Sequence, residues 1–532
     1  MKKFLLHRVL PVLVPVLLLI SLRCLIPDNS ENCTDVYWHI HAADRSFPEM
    51  FAKNYPITLS VWRENFADKE LLFHVLLKSY TGIKHFLNSP LVPPFTGASL
   101  LLLLLFFSAF VFAAVKAGIS NKTLWLCTLG TAMLSPLFTY RLLMIRPHVF
   151  SMTLMMIACG FLFQGPGKWK TIFITFGLGW LFAWSYSTPH LLIVTAAGFG
   201  VAYYSKEKSR AFLPVLAAAA GIFCGLLIHP QSPNTFILWK IQGIDALLAP
   251  TAGLGDGLIP IAQELHPPRF FWIVVSLPIA LLLYGCVMMW NRLREQKGWK
   301  ELPPECTVCT LLAVFWMAAA YMISLRPIEY AVPMLFLALG VLLPRIIENK
   351  SFRGSSNKKI VYTVAGIYIG INILFNCYWT YDSLSQKTTQ YPTELVSALR
   401  TLAKPGDRVV NLDWSDFPPL AFLAPEYEFT WGLDPMFSFV PYPEQSKLLG
   451  KLTRPRIHNS WNVRYTFQAD YAVLLRRQLM IGTSLKENSG WEVVYEGPDG
   501  WIFKLAEQRY VHSPRNSFKD NGSKPRFTPS RF

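Results

Sequence analysis

Charge is scarce in this chain: of 532 residues only 16% are Asp, Glu, Lys or Arg, against 52% hydrophobic and 14% aromatic. That balance is too apolar for a soluble protein of this length, so most of the polypeptide must face lipid. Acid is scarcer than base, with 33 carboxylates against 50 Lys and Arg and a formal net charge of +17. In a membrane protein such an excess belongs in cytoplasmic loops rather than against nucleic acid, and no nucleic-acid partner is expected. The 9 cysteines are scattered. Cys127, Cys159, Cys224 and Cys286 sit singly in apolar stretches as small hydrophobes, so no disulfide framework is expected. Cys24 and Cys33 are read as free thiols. Cys306-Thr-Val-Cys309 has the spacing of half a zinc site, but no second pair follows to complete four ligands. Soluble-enzyme signatures are missing too: there is no Walker loop, no GxGxxG entering a helix, no HExxH, no GxSxG elbow and no repeat of solenoid length.

What the chain does have is long apolar runs. After Met1-Lys2-Lys3 one extends to about Ile26, longer than a signal-peptide core and with no small-x-small cleavage site behind it, which predicts an uncleaved first span. Further runs lie near 95–116, 122–140, 147–164, 170–186, 190–204, 211–228, 270–291, 307–324, 327–348 and 359–379. At roughly 17–25 residues per helix they amount to about eleven crossings. Charge bias tests this independently. With Lys2 and Lys3 inside, the alternate short connections carry Lys116 and Lys122, Lys168 and Lys170, Lys206, Lys208 and Arg210, Arg292, Arg294, Lys297 and Lys300, then Arg353, Lys358 and Lys359. Every inner loop is basic, as the positive-inside rule requires. The outer side then holds two long connections, 27–94 and 229–269, and everything from about Tyr381 onward.

Beyond residue 381 the patterning changes. Tyr391 to Ala403 has helical spacing; Asp407 to Asn411, Asp470 to Leu475, Trp491 to Tyr495 and Trp501 to Leu505 read as strands, the last pair a hairpin through Gly497-Pro498-Asp499-Gly500. The expected fold is therefore mainly α: a polytopic transmembrane helical bundle over 1–380 with a small C-terminal extramembrane α/β domain over 381–508. Residues 509–532, basic and rich in Pro and Ser, are expected to be a disordered tail.

Candidate chemistry gathers on the outer side. The first outer connection opens with Asp35-Val36-Tyr37-Trp38-His39-Ile40-His41 and continues to Trp62, Asp68, Lys69, Glu70 and His74, the last group leading an apolar stretch that suits an interfacial helix. Taken singly, these are also ordinary interface residues. Arg141, Arg146, Arg269 and Arg326 run against the charge bias. An arginine at the bilayer centre costs about 2.5–3.5 kcal/mol, less at the edge. Snorkelling to headgroups would explain these four; so would bidentate binding of a lipid phosphate by planar guanidinium groups. His190, His229, Gln231, Asn234, Asp245, Asp256, Glu264 and His266 share that side, and nothing in the sequence chooses among them. Asn32-Cys33-Thr34, Asn121-Lys122-Thr123 and Asn521-Gly522-Ser523 match the glycosylation sequon, the middle one on the inner side.

Asp35-Val36-Tyr37-Trp38-His39 resembles the Asp-x-x-Trp-His element that follows the first span in GT-C membrane glycosyltransferases, particularly bacterial families. Trp62 through Asp68-Lys69-Glu70-Leu71-Leu72-Phe73 is similar to a later family stretch, with Lys69 where a His and Leu71 where a Trp would stand. Arg146-Pro147-His148-Val149-Phe150-Ser151 resembles the family's Arg-Pro-x-x-x-Ser helix start. Trp184 through His190 stands in place of a Trp-Asn-x-His segment but lacks the Asn, and Arg326-Pro327 is similar to the start of a late span. The resemblance implies transfer of a sugar from a polyprenyl-phosphate-linked donor to a glycan, lipid or protein acceptor. By it Asp35 is the base, and Trp38, His39, Glu70, Arg141, Arg146 and Arg326 are substrate-binding residues. Some members use a divalent metal ion and others none; His39, His41 and Glu70 are the ligands open to one here. It also implies a bacterial inner membrane with the C-terminal domain periplasmic. A transporter or flippase, and a non-catalytic GT-C-like scaffold in envelope assembly, are the alternatives.

Overall fold

The computed structural model describes residues 5–81, 93, 95–246, 266, 270–347, 358–386, 388–452, 460–488 and 490–507. The expected tail 509–532, Arg269, Asp256, Glu264, Arg353 and the Asn521 sequon lie outside them.

Helices occupy the apolar segments because those segments are rich in Leu, Phe and Ala, and their ends carry the signals that stop and start helices. The helix Thr96–Lys116 ends at Gly118, whose φ of 79° is readily open to glycine. The next helix, Asn121–Met133, starts on Ser120, whose hydroxyl oxygen accepts the Thr123 N–H at 3.3 Å. Among the described residues, four helices are long and apolar enough to cross a membrane: Thr96–Lys116, Leu191–Ile228, Pro304–Met322 and Ile328–Ile347. The bent pair Pro136–Leu142 and Pro147–Leu162, which turns by 101°, makes up to five. The chain is an integral membrane protein; the expected count of about eleven crossings exceeds what length and composition establish here, because several helices are short. The first, Leu10–Arg23, has only 14 residues.

Small residues let these helices approach closely. A Cβ at Gly221 would lie 2.0 Å from the Phe176 carbonyl oxygen, so the helices Trp169–Ala183 and Leu213–Ile228 touch backbone to backbone there.

Against the helices lies a five-stranded mixed sheet in the order β4-β3-β5-β7-β6, made of β3 (Arg408–Asn411), β4 (Glu428–Phe429), β5 (Tyr471–Leu475), β6 (Trp491–Gly497) and β7 (Gly500–Leu505). β3 runs parallel to both β4 and β5; β7 is antiparallel to β5 and β6. The hairpin and the strands read from the sequence are present, and the two-residue β4 is an addition. Alternation splits the buried residues between two cores. Val410, Leu474, Trp501 and Phe503 pack with Leu449, Val463 and Leu485 on one face. Val409, Val473 and Ile502 face the other, where the partners come from the first outer connection: Trp38, Tyr55, Ile57, Trp62 and Phe66. That connection also joins the sheet edge. Ile57 bridges Phe429, the Thr58 N–H donates to the Phe429 carbonyl at 2.9 Å, and the Leu59 N–H donates to that of Thr430 at 2.7 Å. The outer connection and the C-terminal sheet are thus one packed body.

A short ladder fixes where this body meets the helices. β1 (Ser30–Glu31) pairs antiparallel with β2 (Thr389–Gln390). Behind it Arg23 donates from Nη2 to both Glu31 carboxylate oxygens, at 2.9 and 2.7 Å, and from Nη1 to the Leu143 carbonyl at 2.7 Å.

The close helix contact gives a test with an internal control. Gly221→Leu must push backbone apart and is expected to cost at least about 3 kcal/mol, seen as loss of the monodisperse peak in detergent size-exclusion. Gly177→Leu, on the same helix pair but with open space around it, is expected to leave that peak unchanged.

Candidate functional site

The helix Asp35–Asp44 starts four residues after Glu31. Positions spaced by three and four share a helix face, so Asp35, Trp38, His39 and Ala42 line up on one side of it. Asp35, in the first turn, also has the favourable end of the helix dipole. Trp38 is wedged among Tyr55, Trp62 and Phe417, with ring centroids 5.3, 4.9 and 5.7 Å away, which locks this face toward the cavity.

A second helix, Leu71–Thr81, follows the tight turn Asp68-Lys69-Glu70. Asp68 shapes that turn, Oδ1 accepting the Glu70 N–H at 3.1 Å and Oδ2 accepting His74 Nδ1–H at 2.6 Å. Gln231 ties the turn down: its Oε1 accepts the Asp68 N–H at 2.6 Å, and its Nε2 donates to the Met50 and Ala52 carbonyls at 3.0 and 2.6 Å. His74 Nε2 then lies 2.9 Å from His39 Nδ1. Burial, together with the neighbouring His74, Arg146, Lys69 and His148, holds the His39 imidazole well below its usual pKa. The 3.8 Å approach of His39 to Glu70 is therefore a contact with a neutral ring. Burial alone would raise the Asp68 carboxyl, but His74 and the Glu70 amide bring it below the ordinary carboxylate range.

The arginines come from the bend between Pro136–Leu142 and Pro147–Leu162. Arg146 Nη2 lies 2.8 Å from Asp35 Oδ2. Arg141 is buried and pairs with Glu329 at the start of the helix Ile328–Ile347, its Nε donating to Oε1 at 2.7 Å and its Nη2 to the same oxygen. Tyr186 donates its hydroxyl to Glu329 Oε2 at 3.3 Å, and His148 Nε2 donates to the Arg141 carbonyl at 2.9 Å.

These groups surround one cavity. Asp35, Trp38, His39, Glu70, Arg141, Arg146 and Arg326 all line it, although they are spread over nearly 300 positions of sequence. Lys69, Pro147, His148, Tyr186, Ser187 and Gln242 complete the wall on the helical side, and Trp414, Leu433, Asp434 and Pro435 close it from the sheet side. The sheet-side residues are held by their own local bonds. Trp414 sits in a turn capped by Asp413, whose Oδ1 accepts the Ser415 N–H at 2.7 Å. The same turn is anchored by Asp416, which accepts the Leu475 N–H at 2.9 Å and Arg477 Nε–H at 3.0 Å; burial, with Asp413 close by and against the pull of Arg477, pushes the Asp416 carboxyl up to about 6. Leu433 takes a φ of 60°, and Asp434 Oδ1 accepts the Met436 N–H at 3.0 Å. The arrangement presents three carboxylates, three guanidinium groups, Lys69 and neutral polar groups to one cavity, so that fixed positive charge for an anionic group stands beside acceptors for a polar head.

His39, Glu70 and His74 can place two imidazole nitrogens and a carboxylate oxygen within 4.8 Å of one another. Because Asp68 accepts a hydrogen bond from His74 Nδ1–H, the proton stays on Nδ1 and Nε2 presents a lone pair, the usual way a carboxylate orients a ligand histidine. This set fits a divalent cation of the zinc class. Of the ligands open from sequence, His39 and Glu70 belong to this set and His41 does not; His74 takes the third place.

Glu329, Gln242, Trp414 and Asp434 were not singled out by sequence reasoning as site residues, and His74 stood among the candidates of the first connection without a role. Glu329 had a signal, a carboxylate at the head of a long apolar run three residues after Arg326, which reads equally well as an ordinary helix-dipole acid. Gln242 and Trp414 carried none.

Helices, cavity and closing sheet together make the fold of the GT-C membrane glycosyltransferases. No family model matches the sequence, and no curated protein does. Solved structures do. The archaeal oligosaccharyltransferase AglB from Archaeoglobus fulgidus, in complex with an inhibitory peptide and a dolichol-phosphate, aligns at TM-score 0.60 and 11% identity over 95% of this chain and 75% of its own. The Archaeoglobus fulgidus enzyme in complex with Zn and sulfate aligns at 0.55 and 10% over 92% and 72%. ArnT from Cupriavidus metallidurans, bound to undecaprenyl phosphate, aligns at 0.54 and 12% over 93% and 97%. At such identities the likeness is one of fold.

The buried Arg141–Glu329 pair yields a stability test. Glu329→Gln leaves a desolvated guanidinium with a neutral partner and is expected to cost about 3–5 kcal/mol, read as a lower thermal midpoint in detergent. The double change Arg141→Met with Glu329→Met removes both charges and is expected to recover most of that loss.

Proposed function

We propose that this chain is a membrane glycosyltransferase that moves a sugar from a polyprenyl-phosphate donor to an acceptor hydroxyl or amide at the outer membrane face. The observation that carries the reading is the convergence of Asp35, Arg146, Arg141 and Arg326 on one cavity, with Asp35 and Arg146 2.8 Å apart. The two polyprenyl phosphates bound in structures of the same fold support it. So does the topology read from charge bias, with about eleven crossings, an outer domain over 381–508, and an inner bacterial membrane that would place this domain in the periplasm.

In the reaction, Asp35 takes the acceptor proton as the acceptor atom attacks the anomeric carbon. The bond from that carbon to the phosphate oxygen breaks, and its electron pair leaves with the polyprenyl phosphate. Arg146 orients Asp35 through Oδ2, leaving Oδ1 for the acceptor. Arg146 and Arg326 stabilise the departing phosphate, while Arg141, already neutralised by Glu329, shapes the wall and adds a weaker field. Trp38 anchors the base-bearing helix in the outer body. His39, Glu70 and His74 would hold a divalent cation, which when bound supplies fixed positive charge beside the cavity.

Two measurements test this. Asp35→Asn is expected to lower sugar transfer about 100- to 10,000-fold, with the cell-surface glycan losing a sugar while the protein still inserts and accumulates. Unchanged glycan would refute catalysis by Asp35, and transport of a labelled lipid by liposomes without transfer would favour a flippase. For the cation, the purified protein is expected to retain about one equivalent of zinc by elemental analysis after desalting, and His74→Ala is expected to lose it. Equal metal content in both would remove the cation from this site.

A further inference from the structure

The end of the helical layer away from the cavity carries chemistry that sugar transfer does not use. The helix Trp169–Ala183 leads into Tyr186 and Ser187 of the cavity wall, and Leu191–Glu207 starts just beyond them. At 1.5 Å per residue the other ends of these helices lie roughly 22–26 Å away, most of the way across a bilayer's hydrocarbon core. There two connections that are separate in sequence, 165–168 and 208–212, meet. A Cβ at Gly167 would lie 3.0 Å from the Arg210 Cβ and 2.8 Å from Glu207 Oε2, and one at Gly165 would lie 3.0 Å from Lys168 Cε. The meeting brings Lys168 and Lys170 beside Lys206, Lys208 and Arg210. All of these are exposed, and none has an ion-pair partner among the described residues. Two carboxylates lie close by and are engaged elsewhere: Glu207 accepts the Gly167 N–H, and Glu305 accepts the Tyr203 hydroxyl at 3.1 Å. They reduce the local positive charge without cancelling it.

The positive-inside bias accounts for cations in each connection taken alone. It does not account for their convergence, nor for what borders them. Trp169, Tyr204 and Phe212 are exposed within two residues of a cation, and Phe173, Val201 and Leu216, one turn deeper on the same three helices, are exposed as well. The rings pair, Trp169 with Phe173 at 6.2 Å between centroids and Tyr204 with Phe212 at 6.3 Å. Each helix thus passes from cation to interfacial aromatic to lipid-facing apolar surface within about one turn, the order in which a phospholipid presents headgroup, glycerol and chains.

Possible occupants differ in how much of this strip they use. A soluble anion or an acidic protein would meet the charges and leave the apolar rows in lipid. A zwitterionic lipid would cover the rows and bring a second cation to a cluster already rich in them. A lipid with a net negative head uses both parts, its phosphate being suited to the planar fork of Arg210 and to the lysine ammonium groups. We propose that this face binds an anionic phospholipid of the leaflet opposite the cavity. Its headgroup lies between the 165–168 and 208–212 connections, and its chains lie against the apolar residues one turn deeper. The site belongs to the helical layer alone and does not depend on sugar transfer in the cavity.

The test uses purified full-length protein in detergent, with bound lipid followed by native mass spectrometry. The probes are dioleoyl phosphatidylglycerol, which is anionic, and dioleoyl phosphatidylcholine, which has the same chains and no net charge. Wild type is expected to bind the anionic probe at least about 10-fold more tightly than the neutral one. Lys168→Gln with Arg210→Gln is expected to weaken the anionic probe about 5- to 25-fold, at roughly fivefold per cation, and to leave the neutral one unchanged. Lys168→Arg with Arg210→Lys keeps the charge and is expected to bind like wild type. Lys116→Gln with Lys122→Gln, in the separate connection at 116–122, is expected to change neither lipid. Equal binding of both lipids by wild type, or full retention of the anionic lipid after Lys168→Gln with Arg210→Gln, would overturn the site. An equal loss in the Lys116 and Lys122 variant would show a diffuse field and overturn it too. Displacement of the anionic lipid by an equal concentration of glycerol 3-phosphate, which has the phosphate without the chains, would make the ligand a soluble anion and overturn the lipid.

Discussion

Arg23 and Glu31 are both fully buried, and burying two charges is expensive unless they are well paired and hydrogen-bonded. Here the guanidinium grips both carboxylate oxygens and also reaches the Leu143 carbonyl. That geometry ties together the exit of the first helix, the start of the outer connection and the bend that carries the arginines. Asp35 lies four residues beyond Glu31 and Arg146 three beyond Leu143, so neither chain segment has length to wander. The 2.8 Å separation of Asp35 and Arg146 is inherited from this clamp. The ladder of β1 with β2 transmits the same register to the outer sheet, since it places Tyr391 and the helix Thr393–Leu402.

Electrostatically the cavity is built from near-cancellation. Arg141 faces Glu329, Arg146 faces Asp35, Lys69 lies 3.1 Å from Glu70, and His39 is kept neutral by its surroundings. Paired charges hold their positions without a ligand and keep the cost of the apolar surroundings tolerable. An entering anion can then draw on fixed, oriented cations without having to reorganise them, which is the condition for a useful field in a low-dielectric site.

Much of the helical frame was legible because hydropathy and charge bias are local signals. Asp35, Trp38 and His39 stood out by following closely on the first apolar run, and Arg141, Arg146 and Arg326 by violating the bias. That they meet at one cavity was an expectation of the resemblance, and the fold brings them together. The other half of the wall was not readable. β4 is two residues long, and the edge formed by residues 57–59 exists only because Phe429 and Thr430 are there to pair with it. Trp414 and Asp434 face the cavity through turns whose orientation depends on Asp413, Asp416 and Arg477, all remote from the helices in sequence. Gln242 depends on a π turn over Ile241–Asp245, which no residue pattern announces. Of the crossings read from run length, length and composition establish four or five among the described residues, because several runs are helical but too short to meet the criterion by themselves.

The edge pairing of residues 57–59 has a further consequence for how the chain is made. Thr58 meets Glu428 across 370 residues of sequence, and at the usual pace of synthesis, 5–20 residues per second, the partner emerges roughly 20 to 70 s later. During that interval Trp38, Tyr55, Ile57 and Trp62 have no cover, because the surface that buries them has not been translated. The first outer segment is therefore among the last parts of the molecule to settle. Between synthesis of these aromatic residues and arrival of the sheet that begins at Arg408, an apolar segment waits for the surface that will bury it.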